Sequence, residues 1–232
     1  MTKILVVNGS NYGRALEGLG ELTTNIIEFI ENPAVYDLIL FTGGEDITPG
    51  LYGDVSPKGM CFSNIHRDRE EREIFKLAMK HDIRMIGICR GIQFLNVMDG
   101  GKMIHDVNNH TGSWHDMVIP SGEVIRVNSL HHQMVIPSKD AEIIGWSLKH
   151  RATKYYGNKD LPIATPEVEP EAVLFKNINA AGVQYHPEIM EKNSVGYKFF
   201  YELADRLLTT KNFSDISSKY MEKSCYHTTQ TE

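Results

Sequence analysis

Short apolar runs rich in β-branched residues alternate along the chain with segments whose apolar residues recur at helical spacing. The runs predict buried strands, and the spaced segments predict amphipathic helices. The predicted strands are Ile4–Val7, Leu38–Phe41, Met85–Ile88, Val124–Val127, Ile143–Ser147, Val173–Phe175 and Gly182–Gln184. The predicted helices are Thr24–Ile30, Arg69–Lys80, Ile92–Met98 and Val195–Leu208. This alternation is typical of an α/β fold in three layers, a mostly parallel twisted sheet with helices on both faces.

Local signals refine two of the helices and the end of the chain. Asp68 precedes Arg69-Glu70-Glu71 and is predicted to be a helix N-cap with a capping-box Glu, which explains much of the charged stretch His66–Arg72. In the last helix, an apolar face predicts core packing: Phe199, Phe200, Leu203, Leu207 and Leu208. From Thr209 onward the sequence is polar and without sustained periodicity. We therefore expect one domain over residues 1–208 and a polar tail over 209–232, frayed beyond a short helical turn.

Composition narrows the class of function. A chain of 232 residues can bury a full core, and its formal charge of −6 is not offset by any Lys/Arg block. Neither nucleic acid nor an anionic membrane is an expected partner, so small-molecule chemistry is the default. Three scattered cysteines, Cys61, Cys89 and Cys225, argue against a disulfide framework or a zinc site. The first apolar run is too short for a signal peptide and none approaches membrane-spanning length, so we expect a cytoplasmic location.

Cys89 stands at a predicted strand-to-helix turn. It lies within Gly87-Ile88-Cys89-Arg90-Gly91, behind an apolar run and ahead of a helical pattern. Glycines two residues away on either side allow the tight backbone that lifts a side chain clear of the sheet. At a helix N-terminus, the helix dipole and the unpaired N–H groups favour the thiolate. Cys89 is therefore a candidate nucleophile.

A base and its orienting group follow 97 residues later, in Val183-Gln184-Tyr185-His186-Pro187-Glu188. Pro187 restricts its own φ and favours an extended His186, so the His186 and Glu188 side chains should project to the same side. A carboxylate on one ring nitrogen would leave the other nitrogen to exchange a proton with Cys89. We predict a triad of Cys89, His186 and Glu188.

Four ordered motifs make the chain resemble the class I glutamine amidotransferases, and within them the γ-glutamyl-γ-aminobutyrate hydrolase (peptidase C26) branch. The resemblance extends from about Lys3 to Leu208. It implies a class I glutamine amidotransferase-like, flavodoxin-like fold and no cofactor. The motifs are the segments Phe41–Pro49, Gly87–Gln93, Asn128–Gln133 and Gly182–Glu188.

The resemblance assigns the oxyanion hole to the backbones of Gly44 and Arg90. Glycine lets backbone N–H groups approach a substrate, although a turn that merely needs glycine is an equal alternative for Gly43-Gly44 taken alone. Gln93, one helical turn past Cys89, is expected to face the substrate. The remaining substrate-binding residues implied are Gly43, His131, His132 and Gln133.

The five histidines between residues 105 and 132 can also be explained without substrate contact. For His131 and His132, a structural hydrogen bond is as good a prediction as substrate contact. His105, His110 and His115 have irregular spacing and no nearby carboxylate pair in a metal-ligand pattern, so we expect surface or loop histidines and no metal.

Two stretches depart from the family pattern. The chain between Val7 and Leu38 is short, and Leu22–Asn25 is a poor match for the usual second strand, so one edge of the fold is expected to be trimmed. The stretch from Lys102 to Leu130 is compact, with His105 where glutamine is common in the family. Substrate-specific loops occupy such regions, so the aminobutyrate substrate is not carried over.

The sequence therefore predicts hydrolysis of a γ-glutamyl amide, either of a γ-glutamyl amine or of glutamine, through a thioester on Cys89. A glutaminase subunit that delivers ammonia to a synthetase partner is the alternative, because it would use the same residues. A non-catalytic binding module is disfavoured, since all three triad residues are present. The motifs carry no information on the oligomeric state.

Overall fold

A mixed sheet of nine strands forms the middle layer of the computed structural model, which describes residues 1–56, 59–158 and 163–221. Two further pairs of strands lie outside this sheet. The strands in chain order are β1 Lys3–Val7, β2 Glu21–Thr23, β3 Leu38–Phe41, β4 Arg84–Ile88, β5 Lys102–Ile104, β6 Asp106–Val107, β7 Thr111–Val118, β8 Val124–Leu130, β9 Met134–Ile136, β10 Glu142–Ser147, β11 Tyr155–Tyr156, β12 Pro170–Phe175 and β13 Ala180–Val183. The α-helices are α1 Ile26–Glu31, α2 Ile65–Lys80, α3 Arg90–Met98, α4 Val195–Thr209 and α5 Ser214–Met221.

The nine strands are ordered β2-β1-β3-β4-β13-β12-β10-β7-β8. From β2 to β13 all neighbours run parallel, and from β13 to β8 all neighbours run antiparallel. The carboxyl ends of β3, β4 and β13 consequently lie side by side, with Phe41 opposite Gly87 and Ile88 opposite Val183. This edge is where ligands bind in open α/β sheets.

Helices cover both faces of the sheet, as the alternation of elements predicted. Successive residues of β1 point to opposite faces, so Ile4 and Val6 enter one core while Leu5 and Val7 enter the other. The first core packs against α4 through Phe200 and Leu203. The second contains buried residues of α1, α2 and α3. The sheet is thus apolar on both sides, which is why its inner strands appear in the sequence as continuous apolar runs.

The predicted elements are present, and most of their ends agree within two residues. The largest difference is at α2, which begins at Ile65 and not at Arg69. Its N-cap is Asn64, whose side chain accepts hydrogen bonds from the backbone N–H groups of His66 and Arg67. The prediction of Asp68 as the cap is therefore wrong. Asp68 lies inside the first turn and is fully buried, because it forms an ion pair with Arg90.

The longest strand that the sequence analysis missed is β7. The eight residues of β7 include Gly112 and several polar side chains, and most of its first half faces solvent, so no apolar run marks it. Near the start of the chain, a 3-10 helix at Ser10–Leu16 and the three-residue edge strand β2 occupy the short stretch after Val7. The edge predicted to be trimmed therefore still has a strand, but one of only three residues.

The first part of the polar tail packs on the domain. Helix α5 buries Ile216 and Tyr220, and the Tyr220 ring lies 5.3 Å from that of Phe199 in α4. Residues 222–232 of the predicted tail, with Cys225, lie outside the described residues. Among the helices that the structure describes, none is both long and apolar enough to cross a membrane.

Gly91 supplies a test of how closely α3 packs on the sheet. A Cβ atom at Gly91 would lie 2.0 Å from the carbonyl oxygen of Phe41, whereas a Cβ at Gly50 would meet nothing within 4 Å. Alanine in a helix gains about 1 kcal/mol over glycine, but overpacking costs about 1–3 kcal/mol and here the obstacle is backbone. We expect Gly91→Ala to lower the free energy of unfolding by about 2 kcal/mol in urea titration. Gly50→Ala is the matched control and should change it little; a Gly91→Ala variant as stable as the parent would contradict the close packing.

Candidate active site

Cys89 occupies a strained turn between β4 and α3. Its backbone has φ 53° and ψ −109°, a positive φ that costs a non-glycine residue about 1–3 kcal/mol. Glycine is required on both sides, because a Cβ at Gly87 would lie 2.3 Å from the carbonyl carbon of Gly91. The Cys89 N–H donates to the carbonyl of Val183 at 2.8 Å, which joins the turn to β13. The strand-to-helix elbow predicted from the sequence is confirmed.

His186 and Glu188 meet beside this turn. The ring Nδ1 of His186 lies 2.7 Å from Oε1 of Glu188. The contact is made in a 3-10 helix at Pro187–Ile189, so the predicted extended geometry is replaced by a tight turn that still brings the two side chains together. The backbone of His186 is held from both sides by the Asn128 amide, which accepts from its N–H at 2.7 Å and donates to its carbonyl at 2.9 Å.

The charge state of the His186 ring depends on its two neighbours. Burial disfavours the imidazolium, but hydrogen bonds and charge interactions with Cys89 and Glu188 outweigh burial and raise its pKa to about 10. A protonated ring at neutral pH, held at Nδ1 by a carboxylate, can stabilise a thiolate and later deliver its proton. At Cys61, by contrast, burial raises the pKa of the thiol to about 11, so the thiolate is disfavoured there.

The loop that follows β3 is organised by the Arg67 side chain. The guanidinium donates to the carbonyl oxygens of Thr42 at 3.1 Å and Gly43 at 2.9 Å, and to Glu45 at 3.0 Å. Gly44 has φ 144°, and a Cβ there would lie 2.0 Å from Nη1 of Arg67. The turn therefore requires glycine at this position, and the oxyanion-hole role of the Gly44 backbone stays a prediction.

A buried ion-pair network connects this loop to the elbow. Glu71, on α2, accepts from Nε of Arg67 at 2.9 Å and also pairs with the guanidinium of Arg90. Arg90 is 1% exposed and pairs with Asp68 at 2.5 Å. The two predicted oxyanion donors, the backbones of Gly44 and Arg90, are thereby held by one carboxylate on one helix.

The predicted substrate-binding residues lie on the side of the site formed by the chain after β8. The Gln93 amide is buried and donates to the carbonyl of Gln133 at 3.3 Å, while the Gln133 amide donates to the carbonyl of His105 at 3.2 Å. His131 is buried and also contacts the Gln133 carbonyl, at 2.9 Å. His132 is 38% exposed and lies 3.1 Å from both Asp46 and Asp106. The hydrogen bond with Asp46, which burial partly opposes, raises the pKa of His132.

The expectation that His105, His110 and His115 are surface or loop histidines is wrong about their exposure, although His105 and His110 do lie between strands. His105 and His110 are fully buried and His115 is 6% exposed. Each lies near a carboxylate distant in sequence: His115 is 2.8 Å from Glu171, His110 is 3.3 Å from Glu169, and His105 is 3.3 Å from Asp54. Spacing along the chain could not indicate these pairs, because the carboxylates reach the histidines only when the chain folds.

Two further residues were not assigned to the site from the sequence. Tyr12 follows β1, and its ring centroid lies 6.1 Å from that of His186. Its hydroxyl approaches Gly43 so closely that a Cβ there would lie 2.4 Å away. Asn128 is the second, because its side-chain amide hydrogen-bonds both the N–H and the carbonyl of His186. Asn128 begins one of the four motifs, which was the available signal, whereas nothing in the sequence marks Tyr12.

Comparison with known proteins places this geometry in a family. The model of the peptidase C26 family matches residues 24–188, which include Cys89, His186 and Glu188. The chain belongs to the peptidase C26 family. A glutamine amidotransferase-like protein of Lactococcus lactis is 29% identical over 186 residues, 72% of this chain and 70% of that protein.

Other relatives agree on the class. A Schizosaccharomyces pombe protein provisionally named as a glutamine amidotransferase is 29% identical over 204 residues, 84% of this chain and 79% of that protein. A Thermoplasma acidophilum structure, provisionally assigned to one of the subunits of GMP synthase, has a TM-score of 0.58 at 17% identity, covering 95% of this chain and 96% of that one. The fold is that of the class I glutamine amidotransferases, and the family supports a hydrolase of glutamine or γ-glutamyl amide bonds.

The raised pKa of His186 leads to a titration experiment. Because the folded pKa of about 10 exceeds the ordinary value of about 6.5, the stability that the imidazolium contributes is fully present below pH ~6.5 and is lost as pH rises through about 10. We expect NMR of the ring nitrogens to find His186 protonated at pH 8. In Glu188→Gln and in Cys89→Ala the ring should titrate closer to its ordinary pKa. A ring that is neutral at pH 7 in the parent protein would contradict the assigned pairing.

Proposed function

We propose that the protein hydrolyses a γ-glutamyl amide through a γ-glutamyl thioester on Cys89. The observation that carries the proposal is the strained cysteine elbow beside an imidazole whose other nitrogen lies 2.7 Å from a carboxylate. This arrangement matches the requirements of thiol catalysis: a cysteine at a strained elbow, 7% exposed, a proton donor next to it, and a group that orients the donor.

The reaction proceeds in two steps. The Cys89 thiolate attacks the side-chain carbonyl carbon of the substrate, and the oxyanion faces the backbone N–H groups of Gly44 and Arg90; one such donor contributes about 3 kcal/mol. As the C–N bond breaks, His186 gives its proton to the leaving amine or ammonia, leaving the thioester. Water then attacks the thioester while His186 takes its proton, and glutamate and the free thiol are released. Glu188 orients the ring throughout.

Substrate contacts follow from the walls of the site. We assign Gly43, Gln93, His131, His132 and Gln133 to the glutamyl group, with His132 the most exposed of the three side chains after β8. The buried amides of Gln93 and Gln133 engage backbone carbonyls, so their contribution is to hold the wall as well as to face the substrate. The cytoplasmic location and the domain limit at residue 208 stay predictions.

A glutamate-release screen over glutamine and a panel of γ-glutamyl amines tests the proposal. A stand-alone hydrolase should turn over one of these substrates without another protein. Activity that appears only when a synthetase is added would favour the alternative of a glutaminase that serves a synthetase partner. No glutamate release from any member of the panel, with or without a partner, would contradict both.

The nucleophile can be tested by replacement and by labelling. Cys89→Ala should abolish glutamate release while thermal melting shows a folded protein, because alanine keeps the Cβ and removes only the sulfur that carries the chemistry. A glutamine-analogue electrophile should label Cys89 in preference to Cys61, whose raised pKa disfavours its thiolate. The matched control is Cys61→Ala, which should retain both labelling and turnover. Residual turnover in Cys89→Ala at the parent rate would remove the covalent mechanism.

The role of Glu188 can be separated from that of His186 by a double-mutant cycle. We expect Glu188→Gln to lower kcat less than His186→Ala does, since general acid–base catalysis contributes roughly 100- to 10,000-fold. The double variant should be little worse than His186→Ala alone, because members of one catalytic unit are strongly non-additive. Multiplying losses would mean that Glu188 acts outside the triad.

A further inference from the structure

A cluster of buried imidazoles surrounds the carboxylate of Glu171 in the antiparallel half of the sheet. Oε1 of Glu171 lies 2.8 Å from Nε2 of His115, 3.9 Å from Nε2 of His131 and 4.0 Å from Nδ1 of His110. All four side chains are at most 6% exposed. The proposed mechanism uses none of these contacts.

The cluster contains polar atoms without partners. Within the described part of the chain, Nε2 of His131 and Oε2 of Glu171 are buried and have no hydrogen-bond partner. Leaving such groups unpaired costs roughly 1–3 kcal/mol each, so native proteins satisfy nearly all of them. Each of these two atoms keeps a lone pair that no protein group engages, so it is available to a ligand.

The tautomer of His131 suits a metal ion. Nδ1 of His131 lies 2.9 Å from the carbonyl oxygen of Gln133, so this nitrogen carries the proton and Nε2 keeps a free lone pair. Nε2 of His110 lies 3.3 Å from Glu169 without a hydrogen bond, and Nδ1 lies 4.0 Å from Glu171 and 3.4 Å from the hydroxyl of Ser129. The carbonyl behind the His131 ring is the kind of outer-shell partner that metal-binding histidines usually have.

We propose that His110, His131 and Glu171 bind a zinc ion. Their ligand atoms lie within 4.8 Å of one another. In a tetrahedral site with bonds of about 2.0–2.1 Å, neighbouring ligand atoms are roughly 3.3 Å apart, so binding requires the ligand atoms to move together by up to about 1.5 Å. Imidazole nitrogen and carboxylate oxygen are zinc ligands, and thiolate is absent from the set.

The proposed ion would clamp the antiparallel half of the sheet. His110 directly precedes β7, His131 directly follows β8, and Glu171 lies on β12. These segments are far apart in sequence, and the ion would tie all three. The neighbouring Gln184 donates its backbone N–H to the Glu171 carbonyl at 2.8 Å, two residues before His186. The ion would therefore stabilise β12 and the chain that leads from β13 to His186, without taking part in the reaction.

Zinc binding tests the proposal directly, once the thiol of the active site is removed. Cys89→Ser protein, stripped with EDTA and dialysed, is titrated with zinc chloride against a chromophoric chelator. We expect one equivalent to bind with a dissociation constant below ~1 μM, and the melting temperature to rise with zinc by several degrees. Cobalt(II) should give a spectrum of nitrogen and oxygen ligands without the charge-transfer band of a thiolate.

Matched variants in the Cys89→Ser background locate the site. Glu171→Gln and His110→Gln should weaken zinc binding at least about 100-fold and remove the zinc-dependent rise in melting temperature. Glu123→Gln and His66→Gln change exposed residues and should behave as the parent. Parent protein that binds zinc more weakly than ~1 μM would overturn the proposal whether or not the variants fold. Undiminished binding in Glu171→Gln would overturn it as well.

Discussion

The carboxylate of Glu71 is the interaction on which the candidate active site depends. It lies fully buried between the guanidinium groups of Arg67 and Arg90. Arg67 holds the loop after β3, and the backbone of Arg90 begins the helix behind Cys89, so one side chain of α2 relates the two halves of the proposed oxyanion hole. Removing one partner from such a buried network typically costs about 3–5 kcal/mol, because a charge is left unpaired away from water. The network therefore constrains geometry more than it adds stability.

Sheet topology brings the remaining groups to the same place. Cys89 follows β4 and His186 follows its parallel neighbour β13, and the two strands end in register. The side chains that come after them thus meet at one edge without any local signal for contact. The strain at Cys89 is tolerated because neighbours on every side hold the turn: the Val183 carbonyl, the close approach of Gly87 to Gly91, and the packing of α3 on β3.

The buried charged groups differ between the parallel and the antiparallel half of the sheet, which meet at β13. On the parallel side, charged groups are paired and hold the loop after β3. On the antiparallel side, Glu171 on β12 and Glu169 just before it lie among histidines in β7, before β7 and after β8, and both carboxylates are fully enclosed. Glu169 is fully accounted for, since it accepts from the backbone N–H groups of Arg151 and Ala152 and from Tyr155, while Glu171 leaves an oxygen unpaired. This asymmetry distinguishes a structural carboxylate from a candidate ligand.

The sequence by itself determined the α/β fold, the inner strands and the elbow at Cys89, because apolar runs and flanking glycines are local consequences of burial and tight backbone. It also determined the His186–Glu188 pair, whose members are two residues apart. Only the tertiary structure decided that Asp68 pairs with Arg90 and does not cap α2, that Tyr12 approaches the site, and that His110 and His115 are buried beside carboxylates. Each of these contacts joins segments whose separation along the chain bears no relation to their distance in the folded sheet. Strand order sets such distances, and no local pattern encodes it.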